Sequence, residues 1–436
     1  MKKIRFLALV CVVLLTLTGC SLDVESYLYP PAVGGQQQAV QEALETYLRD
    51  TYGVARYSVR YPVEGQHTAA FILCDDQGFP VTEEQTPSLA VAFYALSSAP
   101  DTTRMNLLRR DADQWVSVAD TAGNGLDIRQ VAFGDLNGDG TAELVAGWTT
   151  FSDRTHRVAV YAPAEGLSLL AEGPLYASLY VGDLTADGSE DLVLFTIGEE
   201  RVSAALYALT ENGLAASATV ALDGGITAFG QMTLCRLAVG VHGLFVEGAK
   251  QGNTAVTELI YYDDTGLCAP FYDPATNSTP VTTRSGRLAA RDIDGDAMVE
   301  IPDHILLADH AESDVGGTVT RWRRWDYATD SWQVQSHTLV NRADGYLVTV
   351  DDWRSLHTAY DPATRTLMLA DRATRRGWLW LSVEDTAPDA PEQELKSTRL
   401  FTADGGEQSY YAWYDPTVIE AEKIGYIVSK LTARGG

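Results

Sequence analysis

Three short acidic stretches carry the residue types and spacing best suited to chemistry in this chain. In VAFGDLNGDGTAELV, residues 131–145, Asp135, Asn137, Asp139, Thr141 and Glu143 fall at positions 1, 3, 5, 7 and 9 of a loop, with Gly140 where the chain reverses. In VGDLTADGSEDLV, residues 181–193, Asp183, Thr185, Asp187, Ser189 and Asp191 take the same places, with Gly188 at the turn. In ARDIDGDAMVEI, residues 290–301, they are taken by Asp292, Asp294, Asp296, Met298 and Glu300. A hard divalent ion such as calcium takes six to eight oxygen ligands at roughly 2.3–2.6 Å, and alternate side chains plus one backbone carbonyl around a turn supply most of them. Ser189 and Met298 would contribute by their carbonyls. The third stretch has Ala297 in place of the glycine, so a positive φ there predicts a strained or altered loop.

The spacing of these loops sets the architecture that must position them. Asp135 and Asp183 are 48 residues apart, and another 48 lands on Gln231 in AFGQM, a copy without metal ligands. From Gln231 to Asp292 is 61, one repeat with an insertion. A period near 50 is a repeat signature. Within one period the sequence reads as four short strands, IRQVAFGDL, AELVAGW, HRVAVYA and LSLLAEG, and the next period matches it. Four antiparallel strands per repeat is the blade of a β-propeller. CDDQGFPVTEEQTPS, beginning at Cys74, falls where a further loop belongs but lacks the 1-3-5 spacing, so it reads as a degenerate copy. With the unit at 67–120, about five four-stranded blades are expected over 54–340.

DLNGDGTAEL and DLTADGSEDL, each following a hydrophobic strand that ends in glycine, resemble the FG-GAP or VCBS-type repeats of bacterial surface propellers and of the integrin α-subunit head. The resemblance covers about 120–305 well and 60–120 weakly. It implies calcium held between the first two strands of a blade. An EF-hand shares the acidic start but needs a following helix and an acid at position 12, where the first two loops have Ala146 and Leu194; the third has Asp303 and stays ambiguous on this test.

The chain opens MKKIRFLALVCVVLLTLTGC, a basic, then apolar, then small-residue pattern of a secretory leader that is short for a membrane span. Its end resembles the bacterial lipobox. That resemblance implies cleavage after residue 19 and a lipid on Cys20, placing the protein on the extracytoplasmic face of a membrane. Residues 20–35 read as a tether, and 36–53 as an amphipathic helix with Val40, Ala43, Leu44, Tyr47 and Leu48 on one face.

With 59 acidic against 32 basic residues the net charge is −27, and losing the leader's three positive and no negative charges leaves −30. Such a surface repels nucleic acid and anionic lipid and favours divalent cations. Cys74, Cys235 and Cys268 make no disulfide framework; a 235–268 pair and buried thiols are both open.

Beyond about 341 the repeat stops, and seven of the nine tryptophans lie from Trp322 onward. Four strand-like segments and DPTVIEAEKIGYIVSKL, read as a helix capped by Asp415, suggest a small α+β domain over 341–436; a sixth blade with the helix packed outside is the rival. RWRRWDY, residues 321–327, offers either a ligand patch or tryptophans packed between blades with arginines neutralising acidic loops. The histidines form no HExxH pair, and no GxSxG or phosphate-binding glycine loop appears. His304 and His310, with Asp303, Glu312 and Asp314, are a remote zinc possibility against solvated loop residues.

The expectation is therefore a mainly β protein, a propeller of about five blades followed by a small α+β domain, braced by structural calcium and lipid-anchored. Its expected role is binding or scaffolding toward an envelope or extracellular protein or glycan, with a hydrolase acting on envelope polymer or glycan as the alternative.

Overall fold

The structure, a computed structural model, describes residues 35–53, 56–112, 114–150, 156–286, 288–308, 310–311, 315–383, 388, 394–402 and 409–430. The expected leader, Cys20 and nearly all of the tether lie outside the described residues, as do Glu312 and Asp314.

The described chain is mainly β, in six antiparallel sheets that follow one another along the sequence. The second sheet runs Asp127–Gly134, Glu143–Thr149, His156–Ala162, Ser168–Tyr176, each strand pairing with the next. The third repeats this with Ser178–Gly182, Asp191–Ile197, Val202–Thr210 and Gly213–Leu222. The fourth has Ala228–Ala238, Val241–Lys250, Thr254–Asp263 and Gly266–Cys268, with Arg284–Ser285 added along the third strand.

The first sheet uses Leu89–Leu96, Ala99–Asp111 and Gln114–Ala122, and its inner edge is split. Tyr57–Val59 pairs one half of Leu89–Leu96 and Phe71–Cys74 the other. Both faces of these sheets are covered. Hence Leu89–Leu96 is buried at every position and Leu144–Trp148 likewise, as continuous apolar runs rather than alternating ones.

Apolar clusters join each sheet to the next through their faces. Val91, Phe93 and Leu107 of the first meet Val131, Leu144 and Trp148 of the second, and Val145 and Val160 meet Leu179 and Leu192 of the third. Phe195 and Leu206 meet Leu244 and Ile260 of the fourth; Phe245 and Leu259 meet Ile301 and Trp325 of the fifth. Leu339 and Val348 then meet Leu367, Leu369 and Leu379 of the sixth. This is a propeller-like succession. The far face of the first sheet is covered by helix α1, Gly35–Tyr52, whose Val40, Leu44 and Leu48 are buried against Phe71, Ala92 and Tyr94. Asp120 fastens it, accepting hydrogen bonds from Tyr47, Tyr52, Tyr94 and Arg104 at 2.7–3.1 Å.

No break in strand pairing occurs at the expected boundary near 341. The fifth sheet runs Ile301–Leu306, Thr318–Asp326, Ser331–Asn341, Tyr346–Thr349, and Val428–Lys430 returns to pair with its edge. The helix expected after Asp415 is much shorter. Asp415 ends a turn through Thr417 N at 2.9 Å, helix α2 covers only Ala421–Ile427, and the β-branched continuation is that returning strand. Leu356–Asp361, Thr366–Asp371, Gly377–Ser382, Ser409–Tyr414 and Lys396–Thr402 form the sixth sheet.

Candidate metal centres in the acidic loops

Each acidic loop leads into a strand, and the first two lie where one strand of a sheet hands over to the next. The first spans the gap from Asp127–Gly134 to Glu143–Thr149 and the second that from Ser178–Gly182 to Asp191–Ile197. The third is closed by an isolated bridge of Arg291 with Glu300 and leads into Ile301–Leu306. Strands follow every loop, so the EF-hand alternative left open at Asp303 does not hold: Asp303 is a strand residue paired with Arg321.

The loops share one backbone frame. Positions 4 and 6 have positive φ in each: Gly138 and Gly140 at 76° and 85°, Ala186 and Gly188 at 58° and 94°, Gly295 and Ala297 at 86° and 65°. Ala297 therefore adopts the glycine conformation without being glycine. The position 1 carboxylate accepts amides from across the turn: Gly138 N and Gly140 N on Asp135 at 2.7 and 2.8 Å, Asp187 N and Gly188 N on Asp183 at 3.1 and 3.2 Å, Gly295 N and Ala297 N on Asp292 at 2.7 and 2.9 Å. Position 5 accepts the amide of position 7, from Thr141, Ser189 and Met298, at 2.8–2.9 Å. Position 9 accepts the amide of position 2, Leu136 on Glu143, Leu184 on Asp191 and Ile293 on Glu300, at 2.7, 2.8 and 3.1 Å. Backbone amides thus hold the acids in place, which is why aspartate at fixed offsets and a left-handed residue at position 6 are what the loop needs.

Position 3 differs. Asn137 donates its amide to Glu143 at 2.8 Å and to Asp139 at 3.0 Å, whereas the hydroxyl of Thr185 is buried without a partner. In the third loop, carboxylate oxygens of Asp292, Asp294 and Glu300 all lie within 4.8 Å of one another, and Glu300 Oε1 is buried with no hydrogen-bond partner. The loop that lost its glycine is the one that gathers three acids.

Burial raises the position 9 acids. Glu143 is pushed up to about 7 by desolvation, with Asp139 and Asp135 adding like-charge repulsion. Glu300 is likewise pushed up to about 7 by desolvation and then by Asp294, Asp296 and Asp292. Asp191 is raised by desolvation and by Asp187. Asp139 is instead held low by hydrogen bonds from Thr141. Buried carboxylates facing other acids are the donor set a divalent cation relieves.

Two neighbours, Glu190 and His242, escaped the sequence reading because they come from other repeats. Glu190 Oε2 accepts the Asp135 amide at 2.9 Å, tying the second loop to the first. His242 Nδ1 lies 2.6 Å from the Asp183 carbonyl oxygen, and Arg324 donates to Asp296 at 2.6 Å. The Gln231 copy has no loop: Ala228–Ala238 runs on as a strand with a register shift between Phe229 and Met232. Asp75 makes a small turn by accepting the amides of Gln77 and Phe79 at 3.0 and 2.9 Å.

RWRRWDY packs and neutralises. Trp322 and Trp325 are buried, while Arg321 and Arg323 reach Asp303. His304 lies by Thr320 and His310 by His357, so the two do not share a site. Cys74, Cys235 and Cys268 are free.

No family model and no curated protein matches the chain. Among solved structures it is similar to a rhamnogalacturonan lyase of Bacillus licheniformis, at 11% identity over 79% of this chain and 69% of that one, with a TM-score of 0.32. A hypothetical selenium-binding protein of Sulfolobus tokodaii matches at 9% identity over 79% and 80%, TM-score 0.32. A putative 6-phosphogluconolactonase of Bacteroides fragilis matches at 11% over 74% and 92%, TM-score 0.27.

Proposed function

We propose that this chain is a six-bladed β-propeller with structural calcium in its acidic loops, displayed on the extracytoplasmic face of a membrane by a lipid on Cys20. On this reading residues 341–436 are the end of the fifth blade and a sixth one, not a separate α+β domain. The FG-GAP or VCBS-type resemblance belongs to the same proposal. One observation carries it: a single loop frame recurs in three sheets, and in the third it draws Asp292, Asp294 and Glu300 together around a buried, unpartnered carboxylate oxygen.

The donor set fits calcium. Asp292, Asp294, Asp296, Glu300 and the Met298 carbonyl would hold it in the third loop; Asp135, Asn137, Asp139, Thr141 and Glu143, and Asp183, Thr185, Asp187, Ser189 and Asp191, in the others. Bound calcium would supply charge compensation and no chemistry on a substrate. The residues' own task is to fix the first strand turn of each blade, leaving the loop-built faces to bind an envelope or extracellular protein or glycan. That is the work of a binding or scaffold protein.

Equilibrium dialysis with calcium, and detergent-phase partitioning after expression in a bacterial host, test the two halves. Saturable calcium binding reduced by Asp292→Ala, and detergent partitioning lost on Cys20→Ser, are expected. Absence of calcium binding defeats the first half; unchanged partitioning of C20S defeats the second.

A further inference from the structure

A cavity of about 700 Å³ opens where the fourth sheet meets the fifth, lined among others by Asn253, Arg284, His304, Thr318, Asn341 and Arg342. Its charged lining is formed by Arg284, Arg342 and Asp303, with Arg321 and Arg323 beside Asp303.

Most of these cations are already committed. Arg284 is buried and spends its donors on Glu247 at 2.6 Å, the Leu288 carbonyl at 2.8 and 3.0 Å, Thr257 at 2.8 Å and the Thr282 carbonyl at 3.1 Å. Arg321 and Arg323 share Asp303. Arg342 is different: among the described residues it has no carboxylate partner, and burial alone acts on its guanidinium. Its backbone position is nonetheless fixed. The turn carrying it is pinned by Asn341 and Asp344, with Asn341 Nδ2 donating to Asp344 at 2.8 Å and to Tyr346 at 2.9 Å, and Arg365 bonding the same Asp344. Arg342 Nη2 and His304 Nε2 both come within 3.9 Å of the point where a side chain on Gly286 would begin. Gly286, at φ +80°, lets the backbone pass there without filling that space.

A guanidinium at a cavity wall without a carboxylate partner presents a planar fork matched to a carboxylate or phosphate. The amide and hydroxyl beside it, of Asn253 and Thr318, are matched to ligand hydroxyl groups. We propose that this cavity binds a small hydroxylated anion of the sugar-acid or sugar-phosphate class, with Arg342 gripping the acidic group. The proposal is independent of the calcium reading, since none of the acidic-loop residues lines the cavity.

The test is titration calorimetry of the full-length protein with glucuronate, glucose 6-phosphate, inorganic phosphate and glucose, in chelator and again in calcium. Saturable binding of one sugar anion, with none for glucose, is expected in both media. Arg342→Ala, which removes an exposed side chain, should weaken that binding by about tenfold or more at an unchanged melting temperature, and Arg342→Lys by less, because it keeps the charge but loses the fork. Failure of both sugar anions to bind, glucose binding equally well, or R342A binding as tightly as the parent would overturn the proposal. Inorganic phosphate binding as tightly as either sugar anion would overturn the sugar assignment.

Discussion

Glu258 lies fully buried in the fourth sheet, with Oε1 taken by Thr279 and the Asp223 amide at 2.7 and 2.8 Å and Oε2 without a partner. Desolvation pushes its carboxyl up to about 7. The native state therefore holds a proton that the unfolded chain releases from about pH 4.5 upward, so this group's contribution to stability falls as pH rises from 4.5 to 7 and is flat above. Glu258→Gln keeps the acceptor at Oε1 and removes the titration. The variant is expected to be more stable than the parent at pH 8 by on the order of 2 kcal/mol, and equal or weaker at pH 4, by urea unfolding at both pH values. Ala297 gives a second prediction at this scale. A non-glycine residue at φ 65° is strained by roughly 1–2 kcal/mol, against roughly 0.4–1 kcal/mol of extra unfolded-state entropy for glycine. Ala297→Gly should therefore stabilise by about 0.5–1 kcal/mol. The strain was legible in the sequence because the two sister loops carry glycine at that offset. The Arg342 cavity was not legible, because its walls come from separate segments around Asn253, Arg284, His304, Thr318 and Arg342, which no spacing connects.

At the scale of elements, α1 was readable from its apolar stripe, and the structure shows what that stripe does: it caps the far face of the first sheet. Leu44, fully buried there, should cost about 2–5 kcal/mol when changed to alanine, seen as a lower midpoint in urea. The two four-stranded sheets of 127–222 were readable because acidic loops punctuate them. Past 341 no such punctuation exists, and the strands are joined by ordinary turns such as that at Asp361, whose carboxylate accepts the Ala363 amide at 2.9 Å. The segment ending in Ile427 and Val428 misled for a physical reason. Its apolar residues fit a helical period, but the exposed edge of Tyr346–Thr349 offers Val428–Lys430 a ladder, and tertiary pairing overrides local periodicity.

The whole molecule is held by face-to-face packing of consecutive sheets, so no sheet after the first is dispensable at its inner face. Leu339, Tyr346 and Val348 of the fifth sheet are covered by Leu367, Leu379 and Ala412 of the sixth. A chain ended at residue 340, the boundary that composition suggests, loses that cover and two strands of the fifth sheet. It is expected to bind a hydrophobic dye and to melt without a cooperative transition, whereas a separable C-terminal domain predicts a sharp transition in the truncated protein. The central claim is that the acidic loops are calcium braces, and thermal unfolding of the full-length protein in chelator, in millimolar calcium and in millimolar magnesium tests it most directly. A ligand at a hundredfold excess over Kd stabilises the native state by about 2.7 kcal/mol. The account predicts a rise in melting temperature with calcium, a smaller one with magnesium, and a reduced calcium response in Asp292→Ala. Identical melting in chelator and calcium, or a rise that D292A, D135A and D183A all leave intact, would contradict it.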